Sequence, residues 1–298
     1  MIYLVLRGRI GNQLFMYAYA NALRLDQNEP IIIDDSYVIK ENWENSLMRY
    51  SLSNVIYVHK KQFFSPFFKQ ILLDIIHQKI IFNMDYKKKY DYEIKKSKKY
   101  IKYGLIACEN GYYDFKRVTK NVLIDGYFQS EKYFYNTKIS LLRELAHNNE
   151  RFISDYKNVD LLKSRNSVCI SIKVEHNVGS SLYDVCTKDY WKKAIKYISE
   201  NVDNPLFFIC SDNVEYVLEN LIDYDKYDII CQDSRQPVNV SLAAMAACKH
   251  FIIGNTSFGW WAQYMSNNPN KIVIAPSKWM KVDMPIDIYQ DNWIKIEV

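Results

Sequence analysis

The sequence predicts an α/β fold built on parallel sheets, from three observations. The amino end reads strand, turn, helix, strand. The second half alternates strand-like apolar runs with helical patterns across short connections. The length of 298 residues, at roughly 100–200 residues per domain, accommodates two such sheets. Ile2-Tyr3-Leu4-Val5-Leu6 is the first β run, followed by the glycine-containing turn RGRIGNQ at 7–13. Residues 14–23 carry Phe15, Ala18 and Ala22 at helical spacing. Ile31-Ile32-Ile33 then leads into Asp34-Asp35, a second strand opening into a polar loop. Parallel strands need such a crossover between them.

The stretch 37–120 is less regular. Residues 67–82 (FFKQILLDIIHQKIIF) read as an apolar helix, and a lysine- and tyrosine-rich run follows. Residues 122–129 form a strand running into a loop, and 138–147 a helix. After that the alternation is clean. Strands are expected at 167–173, 206–210, 228–231, 251–253 and 271–275, and helices at 189–200, 214–221, 240–248 and 258–265. The polar stretch 148–166 suggests a boundary between an amino-terminal domain, 1–160, and a carboxy-terminal one, 161–298. Two α/β units of similar size place a cleft between them. Ligands of doubly wound sheets sit beyond the carboxyl ends of strands. The polar loops after Leu6, Lys173, Cys210 and Ile253 lie at such ends.

Composition narrows the function classes. Apolar residues are 49% and charged residues 24%, as in a globular protein rather than a disordered or fibrous one. The net charge of +5 is too small to argue for nucleic acid, although 87–102 holds eight lysines and only two acids. No apolar run reaches membrane-spanning length, and the amino end lacks the pattern of a secretory signal, so a cytoplasmic protein is expected. The six cysteines form no C-x-x-C pair and read as buried free thiols. The five histidines are scattered and no D-x-D triplet ends a strand, so no metal site is expected.

Three elements together resemble a known family. They are GRIGNQLFMYAYA at 8–20, GYFQSEKYF at 126–134, and CKHFIIGNTSFGWW at 248–261 with IVIAPSKW at 272–279. In this order, with Cys210-Ser211-Asp212 after a strand, the chain is similar to the bacterial α-1,2-fucosyltransferases of glycosyltransferase family 11. The resemblance implies a GT-B-like fold, two Rossmann-like domains facing across a cleft. It also implies inverting transfer of L-fucose from GDP-fucose to a galactoside 2-hydroxyl, in bacterial surface glycan synthesis, without a metal or other cofactor. The carboxy-terminal domain would hold the nucleotide, the amino-terminal one much of the acceptor.

One element departs from the family. Where its members carry H-x-R-R-G-D, this chain has Ser171-Ile172-Lys173-Val174-Glu175-His176, which puts Lys173 at the first arginine. That arginine is implicated in holding the donor β-phosphate. Lysine keeps the charge but loses the bidentate fork. The departure leaves open weaker activity, a different nucleotide-linked deoxysugar, or a catalytically silent binding protein. Departing diphosphate needs preorganised positive charge and donors. Lys173 is the first candidate, with Arg9, Gly11 and Asn12 from the opening turn, Ser211 and Asp212 after one strand, and Asn255, Thr256 and Ser257 at a helix mouth. Glu175, His176 and Asp125 are the candidate bases. Structural alternatives stand beside these roles: a solvated strand end for Lys173, caps for Asn12, Thr256, Ser257 and Asp212, and core for Trp260 and Trp261. A lipid-linked acceptor would suit peripheral contact of 67–82 and the following lysines with the inner membrane. A core helix followed by a solvated basic loop is the reading preferred for that segment.

Overall fold

The protein is described by a computed structural model covering residues 1–59, 71, 85–115, 118, 120–154 and 156–298. The helix expected at 67–82 lies outside the described residues apart from Ile71. Two compact units divide the chain: Met1–Glu144 with Asp283–Tyr289, and Leu145–Val282 with Gln290–Val298. Each is built on one all-parallel sheet.

The sheet of the first unit is made of β1 (Ile2–Val5), β2 (Ile31–Asp34), β3 (Val55–Val58), β4 (Leu105–Ala107) and β5 (Val122–Asp125), ordered β3-β2-β1-β5-β4. Its central strands β1 and β5 are buried along their whole length, as strands covered on both faces must be. Tyr3, Val5, Leu105, Ala107 and Leu123 form the cluster on one face. Helix α1 (Ile10–Gln27) starts four residues earlier than the apolar spacing suggests. Gly8 turns the chain with a φ of +67°, Arg9 is the N-cap, and Gly11, Asn12 and Gln13 fall inside the first helical turn rather than in a loop. Asn28, left-handed at φ 52°, ends the helix. A short helix α2 (Ser36–Lys40) follows β2.

The lysine run is a helix, not the solvated loop expected. In α3 (Tyr86–Tyr100), Asp85 caps the start by accepting from the Lys88 amide. Glu93, Ile94 and Ser97 recur at helical spacing and are buried. Ser97 Oγ donates to the Ala107 carbonyl at 2.7 Å and accepts from the Ala107 amide at 2.9 Å, fastening the helix to β4.

Helices α4 (Lys138–Ile153) and α5 (Val159–Ser164) lead to the second sheet. It comprises β6 (Asn166–Ile172), β7 (Pro205–Ser211), β8 (Asp228–Cys231), β9 (His250–Ile253), β10 (Val273–Pro276) and β11 (Ile294–Ile296), ordered β11-β10-β9-β6-β7-β8. Read from the other edge this is the Rossmann order 3-2-1-4-5-6, with its reversal between β6 and β9. One face packs α6 (Lys188–Asn201), through Tyr190, Trp191 and Ile195, onto Val168, Ile170 and Ile209. Helices α7 (Val214–Asn220), α8 (Val238–Ala246) and α9 (Ser257–Met265) complete the unit. Gly259 of α9 lies so close to β6 that an added Cβ would stand 2.9 Å from Ser171 Cβ. Trp260 and Trp261 are fully buried, as core residues are. His250 accepts from the Ile272 amide at 3.1 Å, a structural use, and burial lowers its pKa.

Candidate active site

In the second unit the strand order reverses between β6 and β9, and the polar loops leaving these strands meet there. Lys173 is the first residue past β6. Its Nζ lies 3.3 Å from Asp212 Oδ2, at the end of the neighbouring strand β7. Asp212 Oδ1 accepts from the Val174 amide at 2.7 Å. One carboxylate therefore holds both the charge of Lys173 and the backbone that carries it. Ser211 Oγ accepts from the Asn213 amide, and Asn213, rather than Asp212, is the N-cap of α7.

The loop after β9 closes the other side. The Gly254 amide donates to the Ser171 carbonyl at 2.9 Å, so this loop is stitched to β6. Asn255 is buried and its side chain is engaged on every side. Nδ2 donates to the Tyr183 and Trp279 carbonyls, both at 2.9 Å, and Oδ1 accepts from Asn177 Nδ2 at 3.0 Å. It anchors the loops around it. Thr256 caps α9 by accepting from the Phe258 amide at 3.1 Å, and Ser257 is the helix's first residue. Residues from both loops, among them Lys173, Asn177, Tyr183, Gly254 and Asn255, line one open depression at the reversal. The depression therefore holds one cation, Lys173, beside the carboxylate of Asp184 and the amide of Asn177, and Thr256 and Ser257 follow directly after its lining residue Asn255. Glu175 and His176 lie on the exposed turn that follows Val174.

The corresponding reversal in the first unit lies between β1 and β5. Arg9 is exposed and Gly11 buried in the first turn of α1, whose leading amides have no intrahelical acceptor. Asn12 does not cap this helix: its Oδ1 accepts from Gln129 Nε2 at 2.8 Å, joining the first motif to GYFQS. Gln13 is fully buried, donating to the Gly8 and Glu44 carbonyls and accepting from the Ser46 amide, which makes it structural. Gly126 has φ +149°, and a Cβ there would stand 2.0 Å from the Cys108 carbonyl oxygen.

Residue-type reasoning missed a polar hollow at this reversal, lined by Arg7, Glu93, Glu109, Asp125, Gly126 and Tyr127. Arg7 bonds Asp125 at 2.6 Å, so the candidate base Asp125 is held by a guanidinium. Glu93 accepts from the Glu109 amide at 2.9 Å, while Glu109 pairs with Lys89. Burial pushes the Glu93 carboxyl up to about 7. The signal for Glu93 is its helical phase with Ile94 and Ser97, masked in the sequence by the lysines around it. Among the described residues, no group of three metal-ligating side chains is placed to hold an ion. No helix among them is long and apolar enough to cross a membrane.

A family model described as Glycosyl transferase family 11 matches residues 1–297. The O-antigen biosynthesis glycosyltransferase WbnK of Escherichia coli is 24% identical, covering 99% of this chain and 100% of that protein. The alpha-1,2-colitosyltransferase of E. coli is 25% identical over 98% of this chain and 97% of its own. Galactoside alpha-(1,2)-fucosyltransferase 1 of Saimiri sciureus is 25% identical over 38% of this chain and 32% of its own. In structure the chain is similar to Bradyrhizobium fucosyltransferase NodZ, at a TM-score of 0.53 and 11% identity, covering 95% of this chain and 98% of that one. At that identity the likeness shows the fold alone, that of the GT-B fucosyltransferases.

Proposed function

The chain belongs to glycosyl transferase family 11 and is a glycosyltransferase; from this premise we propose that it moves a GDP-linked deoxysugar onto the 2-hydroxyl of a galactoside, with inversion. L-fucose is the first donor to test, and the product belongs to a bacterial surface glycan such as an O-antigen, assembled on a lipid-linked acceptor. No cofactor takes part. The observation that carries the reading is the family match over residues 1–297, with Lys173 standing at the strand reversal.

The chemistry follows from the residues. As the sugar–phosphate bond breaks, the sugar becomes oxocarbenium-like and charge grows on the departing β-phosphate. Lys173 neutralises that charge, and Asp212 keeps the lysine and the Val174 backbone in place. Thr256, Ser257 and the amino end of α9 add donors and a favourable dipole. Asn255 supports them by holding the loops, and Ser211 shapes the turn beneath Asp212. In the first unit, Arg9, Gly11 and Asn12 form a ligand-binding turn whose amides suit an anion. Glu175 or His176 accepts the acceptor's proton, both standing in the turn beyond Lys173.

A second donor is favoured by a specific observation. A relative aligned over 98% of this chain bears the name colitosyltransferase, and colitose lacks a hydroxyl that fucose carries. A mass-spectrometric assay pairing GDP-fucose and GDP-colitose with galactosides of varied aglycone decides between the two. Turnover with another nucleotide sugar and neither of these rejects both. Tight GDP binding with no turnover across the panel makes the chain a silent binding protein.

A further inference from the structure

The positive charge of this protein sits in one place. The chain has 39 Lys+Arg against 34 Asp+Glu, and setting aside the eight lysines and two acids of 87–102 leaves 31 against 32. In the structure that charge is carried by α3 and the turn after it. Lys87, Lys88, Lys95, Lys98 and Lys99 are exposed, and Lys102 joins them beyond the helix end. At 3.6 residues per turn, those five helical lysines fall within an arc of about 120°. Glu93 is turned inward and buried, which leaves Asp91 as the acid on that face.

This is not the ordinary solvated face of a surface helix. On α6 the exposed Lys193 and Lys196 are each answered one turn away, by Asp189 at 2.6 Å and Glu200 at 3.7 Å. On α3, among the described residues, Lys88 has such a partner in the capping Asp85, and the half-buried Lys89 pairs with Glu109 beyond the helix. Three of the remaining lysines lie beside tyrosine rings: Lys98 over Tyr113 at 4.6 Å, Lys99 over Tyr100 at 5.5 Å and Lys102 over Tyr103 at 4.8 Å. The helix is also fastened from below, by Ser97 to β4.

We propose that the outward face of α3 is a docking surface for an anionic phospholipid membrane. The face is the exposed side of a single helix, and its charge is spread along the helix rather than gathered at one point, as suits a plane of headgroups. It is built from lysine, a flexible point charge that gathers diffuse headgroup charge, with no arginine fork to read individual phosphates. Tyrosine rings with polar tips suit the boundary between headgroup and water. Docking here would bring the enzyme to an acceptor carried on lipid, but the proposal stands on the charge and geometry of this helix, whatever sugar is transferred.

The test uses the full chain with sedimented vesicles of phosphatidylcholine alone or mixed with phosphatidylglycerol. Neither donor nor acceptor is present, so the outcome is separate from that of the transfer assay. Binding to the mixed vesicles only, falling as salt is raised, is expected. At roughly five-fold per lysine, the variant carrying Lys87→Gln, Lys95→Gln, Lys98→Gln and Lys99→Gln should partition about 10²–10³-fold more weakly. The variant carrying Lys192→Gln, Lys193→Gln and Lys196→Gln on α6 should bind as the parent does. Melting curves check that both variants fold, and the single substitutions Lys95→Glu and Lys98→Glu repeat the test should the fourfold variant melt early. Equal binding to both vesicle types, undiminished binding of the α3 variants, or retention on soluble heparin without vesicle binding would overturn the proposal.

Discussion

Lys173 and Asp212 set the first expectation. Lys173→Ala should lower turnover by roughly 10²–10³-fold, the loss typical of one preorganised donor, with the melting temperature nearly unchanged because the pair is partly exposed. Unaltered turnover would remove Lys173 from the mechanism. Asp212 separates charge from geometry: Asp212→Asn keeps an acceptor for the Val174 amide, while Asp212→Ala removes it. If Asp212 positions the loop, Asn should retain far more of kcat than Ala. Equal losses would make the charge alone the matter. Glu93 makes a different prediction. Its folded pKa of about 7 stands above the ordinary 4.5, so the native state holds a proton that the unfolded chain has released. That contribution is complete below pH 4.5 and is lost as pH rises through 7. Glu93→Gln keeps an acceptor for the Glu109 amide and removes the charge. It should leave stability near the parent's at acid pH and raise it by roughly 1–3 kcal/mol at pH 8. Paired melting curves at the two pH values check this, and an equal shift at both would contradict it.

At the scale of elements, the glycine of GYFQS has a backbone reason to be there. Gly126→Ala would drive a Cβ to 2.0 Å from the Cys108 carbonyl at a φ few side chains adopt. It should cost about 3 kcal/mol or more, read by denaturant unfolding. A loss below 1 kcal/mol would mean the strand exit relaxes freely. Gly259→Ala should also destabilise, and Ser171→Gly should return part of the loss, since the clash is with that side chain. Such contacts explain what the sequence could and could not disclose. The strands at 206–210 and 122–125 were legible because a strand covered on both faces is a bare apolar run ended by polar residues. The start of α1 was not, because glycine and asparagine resemble a turn until Gly8 is seen to make it alone. The basic helix was hidden by its own lysines, whose exposed side chains outnumber the three buried residues that set its phase.

At the scale of the whole molecule, the sequence order announced two parallel sheets, and the second is in Rossmann order. It could not announce where each unit's chain lies. Residues 283–289 belong to the first unit although they follow the second in sequence, and no local pattern marks that return. The tie is polar and long-range. Asp287 accepts from Ser130 Oγ at 2.5 Å and from Lys132 Nζ at 2.8 Å. Ser130 is fully buried, so losing Asp287 leaves its hydroxyl proton without an acceptor, while its oxygen still accepts from the Lys132 amide. Asp287→Ala should therefore destabilise the first unit by about 1–3 kcal/mol. Native-state hydrogen exchange should show the loss around residues 128–133 and 285–289, with the strands β6 and β7 keeping their protection. The contrast matters because both segments lie far apart in sequence. Only if the return segment folds with the first sheet should a change at Asp287 be felt at Ser130 and not at its sequence neighbour β11. Exchange that quickens in β11 and spares 128–133 would assign the segment to the second unit instead.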